Sequence, residues 1–258
     1  MNRAHPLAQF PRKRSTFFFS GLAVLLVATL SPIAAYDGDL LSVHMWQHML
    51  ITLGAAPLLL LGTPITLILR ASTPQTRKRV LLPVLHSRIV KAITFPVVAW
   101  VFLAGTMWIS HFSPLYNASL DNAWLHRFEH AWYIVAALLF WWQVIGADPT
   151  PWRMSHPVRM FYVFLQMPQN SFLGLAFYSS GHVLYKHYAT LERAWGPSPL
   201  TDQQFAGGSM WVFGDLFFFV ALVCLALGWI RHEERRTKVI DAALERERDL
   251  KARAAEPA

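Results

Sequence analysis

Apolar residues in this chain come in long runs with few charges, unlike the alternation of a half-buried strand or the mixed faces of a soluble helix. Six runs reach the about 20 residues that a bilayer crossing needs. They are Phe17 to Ala35, Leu41 to Leu69, Ala92 to His111, Leu125 to Ile145, Met160 to Ser180 and Gly208 to Ile230. None shows a period of two, so only helices can satisfy their backbone polar groups inside lipid. The pattern predicts an all-α, polytopic membrane bundle of six transmembrane helices over residues 17–230, with a short N-terminal segment, 1–16, before it. Residues 231–258 mix both signs of charge at good helix propensity and read as a solvated helix continuing the sixth span, with partner docking as the alternative.

The first run admits two readings. Arg12, Lys13 and Arg14 ahead of a short apolar stretch ending in Ile33-Ala34-Ala35 are read as leading into an uncleaved first helix, with a secretory signal cut near Ala35 as the alternative. Either way Tyr36 lies outside.

Basic residues set the orientation. Arg3, Arg12, Lys13 and Arg14 precede the first helix. Arg70, Arg77, Lys78, Arg79, Arg88 and Lys91 separate the second and third, and Arg153 and Arg159 the fourth and fifth. Arg231, Arg235, Arg236, Lys238, Arg246, Arg248, Lys251 and Arg253 follow the sixth. Of 23 Lys and Arg residues, only Arg127, Lys186 and Arg193 fall in the other segments, so both termini are expected in the cytoplasm. The expected location is the bacterial cytoplasmic (inner) membrane, crossed several times.

Composition sharpens this picture. The chain has 258 residues, 54% hydrophobic and 15% charged, with a mean hydropathy of +0.32. Soluble domains carry about 25% charged residues, so an ordinary water-facing surface is excluded, and so is disorder. A net charge of +8 would raise the question of nucleic acid, but here the positive charge is an orientation signal and no nucleic-acid partner is expected. The single cysteine, Cys224, lies in an apolar run, which excludes an intrachain disulfide, a CxxC redox pair and a thiolate metal cluster.

The chemistry gathers at the outer helix ends. The second helix opens with His44-Met45-Trp46-Gln47-His48-Met49 and the fourth with His126-Arg127-Phe128-Glu129-His130. Each holds a histidine pair at i, i+4, which sets two imidazoles on one face as a metal requires of two ligands from one helix. Met107 and His111 share a face at the end of the third helix by the same spacing. Any one histidine alone reads as an interfacial side chain bonded to a neighbouring helix or a headgroup, but two spaced pairs at one depth point to a site. His182 and His187, in a loop with Tyr185 and Tyr188, read instead as part of an interfacial belt.

Methionines lie at the same depth. Met45, Met49, Met107 and Met210 with the imidazoles make a donor set suited to copper, particularly Cu(I), while imidazole alone also suits zinc; methionine in an apolar helix otherwise only packs. Asp215, an acid within the sixth span, can orient a ligating imidazole, pair with Arg127, or bond helix to helix. Gln166, Gln169 and Asn170 around Pro168 make the fifth span polar, as a kink or as a packing contact. The His126–His130 segment also spells HxxEH, in which Glu129 would be a general base beside zinc, with Glu192 as the nearest downstream acid; an intramembrane zinc hydrolase is therefore a minor alternative. Paired membrane histidines also ligate haem, so a bis-histidine redox protein is another, although the inner half offers no second pair.

At these residues the sequence resembles the CtaG-type cytochrome c oxidase assembly factors. The matching segments are HMWQHMLITLGAAPLLLLGTPI from His44 to Ile65, then Trp108-Ile109-Ser110-His111 with Pro114, Leu115 and Tyr116. HRFEHAWYIVAALLFWW from His126 to Trp142 follows, and then Asp202-Gln203-Gln204 with Ala206, Gly207, Met210 and Trp211. The ordered set covers most of the chain. The resemblance implies a non-enzymatic membrane assembly factor, with His44, His48, His111, His126 and His130 as the metal-handling set and Glu129 beside them. Asp202 belongs to a family motif, and copper is the expected cofactor. The expected partner is the oxidase subunit that carries the copper–haem centre, with a periplasmic copper chaperone as a further candidate.

Overall fold

A computed structural model describes residues 10–255; the first nine residues, with Arg3 and His5, and the last three lie outside the described part. Among the described residues the chain is built of helices and their connections. We label the eight that frame the bundle: α1 (Arg12–Leu30), α2 (Leu41–Met49), α3 (Pro96–His111), α4 (Leu115–Asp121), α5 (Ala123–Ile145), α6 (His156–Phe164), α7 (Gln166–Tyr178) and α8 (Pro199–Ala255).

Four helices are long and apolar enough to cross a membrane, or five if a bent pair counts as one span. The expectation of six is not met in full, for local reasons. The third run starts its helix only at Pro96, and it reaches spanning length only together with α4, across a 70° bend. The fifth run is divided at Leu165 into α6 and α7. Pro168 has no N–H to offer the carbonyl of Phe164, so the ladder loses a rung where the helix breaks. The outer surface is apolar, with Phe19, Leu30, Ile109, Phe172 and Val212 well exposed, as lipid contact requires.

α2 does not end at Met49. It runs on through a π-helical turn, Leu50–Ala55, into Ala56–Leu61. In that turn the N–H of Ala56 bonds back to Ile51, which frees the carbonyl of Thr52. The indole N–H of Trp141 takes that carbonyl at 2.9 Å and ties α5 to α2 one turn below the histidines.

Glycines let backbones touch. A side chain at Gly174 would meet the carbonyl of Gly207 at 2.7 Å, so α7 and α8 cross at near-contact, and Gly21 brings α1 equally close to Leu59. One half of the interior packs Leu103, Phe140, Trp141, Val163 and Phe218; the other packs Leu41, Met45, Tyr116, Phe177 and Tyr188. Beyond the bundle α8 continues unbroken, giving a helix of 57 residues, about 85 Å long, as the mixed charge of its tail leads one to expect.

Candidate metal centre

The four paired histidines meet. His44 and His48 stack with centroids 4.5 Å apart and their Nε2 atoms 2.6 Å from each other. His126 stacks on His44 at 5.1 Å, and His130 lies 4.4 Å from His126 and 5.4 Å from His48. One ligand atom from each of His44, His48 and His130 falls within a 4.8 Å span; so do those of His44, His126 and Glu129, and those of Asp37, His126 and His130.

The helix ends that carry them are fastened separately. The N–H of Leu41 donates to Asp202 at 2.7 Å and the Ser42 hydroxyl to its other oxygen at 2.5 Å, so a buried carboxylate from α8 caps the first turn of α2. Gln203 accepts from the N–H of Leu184 and donates to the carbonyl of His182, holding the loop above. Asn122 caps α5 by accepting from Trp124 and Leu125. Asp202 thus positions the histidine helix and bonds to no imidazole.

Several ligand-type atoms at the centre make no hydrogen bond. Nε2 of His126, Nε2 of His130, Oε2 of Glu129 and the Nδ1 atoms of His44 and His48 are buried without a hydrogen bond. Buried polar groups are almost always paired, so such a concentration among ligand-type atoms fits a cation. Three or four imidazoles with two carboxylates suit copper and zinc alike, and fewer than all six need bind, which leaves room for an open position. The imidazoles lie ring against ring, with His44 stacked between His48 and His126. Glu192 is exposed in the loop and has no part in the grouped ligand atoms.

His111 stands apart. Its Nε2 reaches the sulfur of Met45 at 3.3 Å, and its Nδ1 lies 2.6 Å from the carbonyl of Met107. Tyr133, edge-on to His48 at 4.1 Å and 3.3 Å from Nδ1 of His111, stands between the two groups. Met45, Met49, Met107 and Met210 line a cavity beside the four-histidine centre, with His111 and His48 both in its wall. Asp215 accepts from Asn170 at 3.1 Å and from Ser171, which makes it a bond between α7 and α8 with no imidazole or arginine in reach; Arg127 lies over Trp124 instead. Asn170 also donates to the carbonyl of Met210, so the polar stretch around Pro168 is at once a break and a packing contact.

Asp37 escaped the sequence reading. Its carboxylate is 3.7 Å from Nε2 of His126, and burial pushes its carboxyl up from the ordinary carboxylate range while the neighbouring His126 pulls the other way. No helical spacing links it to a histidine; the one available signal was an acid on the outer side, a turn ahead of α2. A lid of tyrosines holds it in place. Tyr188 donates to the Asp37 carbonyl at 2.7 Å, and burial pushes its own hydroxyl up, so it remains a donor. Tyr185 donates to the carbonyl of His111, and His187 lies 3.0 Å from that of Gly38. The loop expected to be an interfacial belt instead turns Tyr185 and Tyr188 inward, where both are buried, and roofs the site.

A family model described as cytochrome c oxidase caa3 assembly factor matches residues 1–232, in keeping with the resemblance carried by the histidine segments. Uncharacterized proteins of Mycobacterium bovis and Mycobacterium tuberculosis are each 31% identical over 233 residues, and one of Mycobacterium leprae is 28% identical over 234. Each alignment covers 88% of this chain but 35% of the relative, so the chain spans about a third of their length. No solved structure matches it.

Proposed function

Since the chain belongs to the cytochrome c oxidase caa3 assembly factors, we propose that it holds copper at the periplasmic face of the inner membrane and passes it to the oxidase subunit housing the copper–haem centre. The copper is cargo, and the chain catalyses no reaction of its own. The observation that carries this reading is the convergence of His44, His48, His126 and His130 from two helices, with ligand nitrogens left unpartnered in a buried site. Asp37 and Glu129 supply negative charge that offsets the cost of bringing a cation out of water. A carrier must also let go, and surplus donors around an open position allow ligand exchange in a way that a closed cage does not.

The topology that serves this function has six spans over residues 17–230, with both flanks, 1–16 and 231–258, in the cytoplasm. Leu165 keeps helical dihedrals (φ −61°, ψ −22°), which supports α6 and α7 as one interrupted crossing. A periplasmic copper chaperone is the natural donor for a site that opens on that side.

Metal analysis of the purified protein tests the site. Copper stoichiometry is expected to collapse in the His48→Ala, His130→Ala double variant; unchanged stoichiometry would sink the assignment. In cells, deletion should abolish oxidase activity, with partial rescue by added copper. Full activity without the protein and without supplement removes the functional reading.

A further inference from the structure

Beside the imidazole centre lies a second, chemically different space. Met45, Met49, Met107 and Met210 line a cavity of about 30 Å³, with His48 and His111 in its wall. That volume admits one ion or one water. Methionine in a core fills gaps; four of its side chains around one void leave a gap that their own flexibility would otherwise close. The wall also carries unsatisfied polarity. Gln166 leans its amide nitrogen on the sulfur of Met107 at 3.8 Å, while its carbonyl oxygen, fully buried, has no donor. A void lined by hydrocarbon alone stays dry, but one whose wall includes a glutamine with an unpaired amide oxygen, two imidazoles and four thioethers offers a cation neutral donors without charge.

We propose that this methionine-lined cavity is a separate soft-metal site that takes a monovalent cation, Cu(I), and is distinct from the imidazole–carboxylate centre. The identity of the metal rests on the copper-carrier reading, but the affinity for a soft monovalent ion does not. Thioethers are neutral and polarisable and favour Cu(I) over zinc or Cu(II). Their neutrality makes the same choice electrostatically: the cost of desolvating an ion rises steeply with its charge, and no carboxylate lines this wall to repay it for a divalent ion. The centre next door has Asp37 and Glu129 for that purpose. His48 borders both spaces, so they share a wall.

Silver(I), a redox-inert stand-in for Cu(I), is the probe, added to the full-length protein in lipid nanodiscs and followed by equilibrium dialysis and X-ray absorption. Sulfur scattering around bound silver is expected. Met45→Leu with Met107→Leu, swaps that nearly conserve volume, should weaken silver binding by about tenfold or more while zinc binding is retained. Met210→Leu alone gives a second reading should the double variant fail to fold. In His126→Ala with His130→Ala, zinc binding should fall and silver binding persist. Silver bound through nitrogen only, silver indifferent to every methionine swap, or silver lost together with zinc in the histidine variant would each overturn the proposal. If the parent takes silver through sulfur and no divalent metal at all, the imidazole-centre reading falls and this one stands.

Discussion

The rings of His44 and His126 stack 5.1 Å apart and nearly parallel, although 82 positions separate them in the chain. Each belongs to a pair that a single helix enforces, but the contact between the pairs joins two helices held by different anchors. Asp202 fixes one and Asn122 caps the other. The consequences can be tested one at a time.

Metal should stabilise the fold. Packing imidazoles with unpartnered nitrogens is unfavourable until a cation satisfies them. At free metal about 100 times above Kd, binding adds about 2.7 kcal/mol. Thermal unfolding in detergent should therefore show a higher Tm with Cu(II) or Zn(II) than with chelator, and the difference should vanish in His44→Ala with His130→Ala. Equal Tm values for the parent under both conditions would count against the centre.

Asp37→Asn should separate binding from stability. Burial raises the Asp37 carboxyl, so the folded state holds its proton more tightly than the unfolded chain. The sign follows: the parent has its full stability at acid pH and loses some as pH rises through the raised value. The asparagine variant lacks that loss. Without metal it should be at least as stable as the parent at neutral pH, with the gap closing toward acid, yet bind divalent metal more weakly. Unfolding curves across pH and a metal titration check both halves, and a variant that is less stable at neutral pH refutes the first.

Asp202→Ala removes two charge-assisted acceptors from the first turn of the histidine helix. The expected cost is about 2 kcal/mol, with the N–H of Leu41 left buried and unpaired. Asp202→Asn retains one acceptor and should lose less. Both should lower metal affinity without touching a ligand. Tm and metal stoichiometry measured together would expose an effect confined to only one of them.

Gly207→Leu should prevent accumulation of the protein. A Cβ there meets the carbonyl of Gly174 at 2.6 Å and Phe177 at 2.6 Å, and overpacking of this kind costs about 1–3 kcal/mol or more at a backbone crossing that cannot spread. Gly105→Leu, where a Cβ meets nothing within 4 Å, is the matched control. Immunoblots of membrane fractions compare the two.

Much of the site was legible because helices have a fixed period. His44 with His48, and His126 with His130, share faces by spacing alone, and Met107 lies over the His111 turn for the same reason. Charge and apolar length likewise declare a membrane protein. The breaks were less visible: Pro168 hinted at one, but the 70° bend after His111 and the π-turn below His48 depend on which carbonyl finds a donor, such as that of Thr52 and the indole of Trp141.

By itself, then, the sequence determined the helical class, the two imidazole pairs and the end of the bundle on which they lie, since these follow from hydrophobic length and a repeat of 3.6 residues. Only the tertiary structure decided that four histidines make one centre while His111 and the methionines make another space beside it. It also brought Asp37 to His126 and turned Asp202 and Asp215 from candidate metal partners into fasteners between helices. Those outcomes depend on how helices rotate and cross, which glycine contacts and long-range caps set, and no local period encodes them.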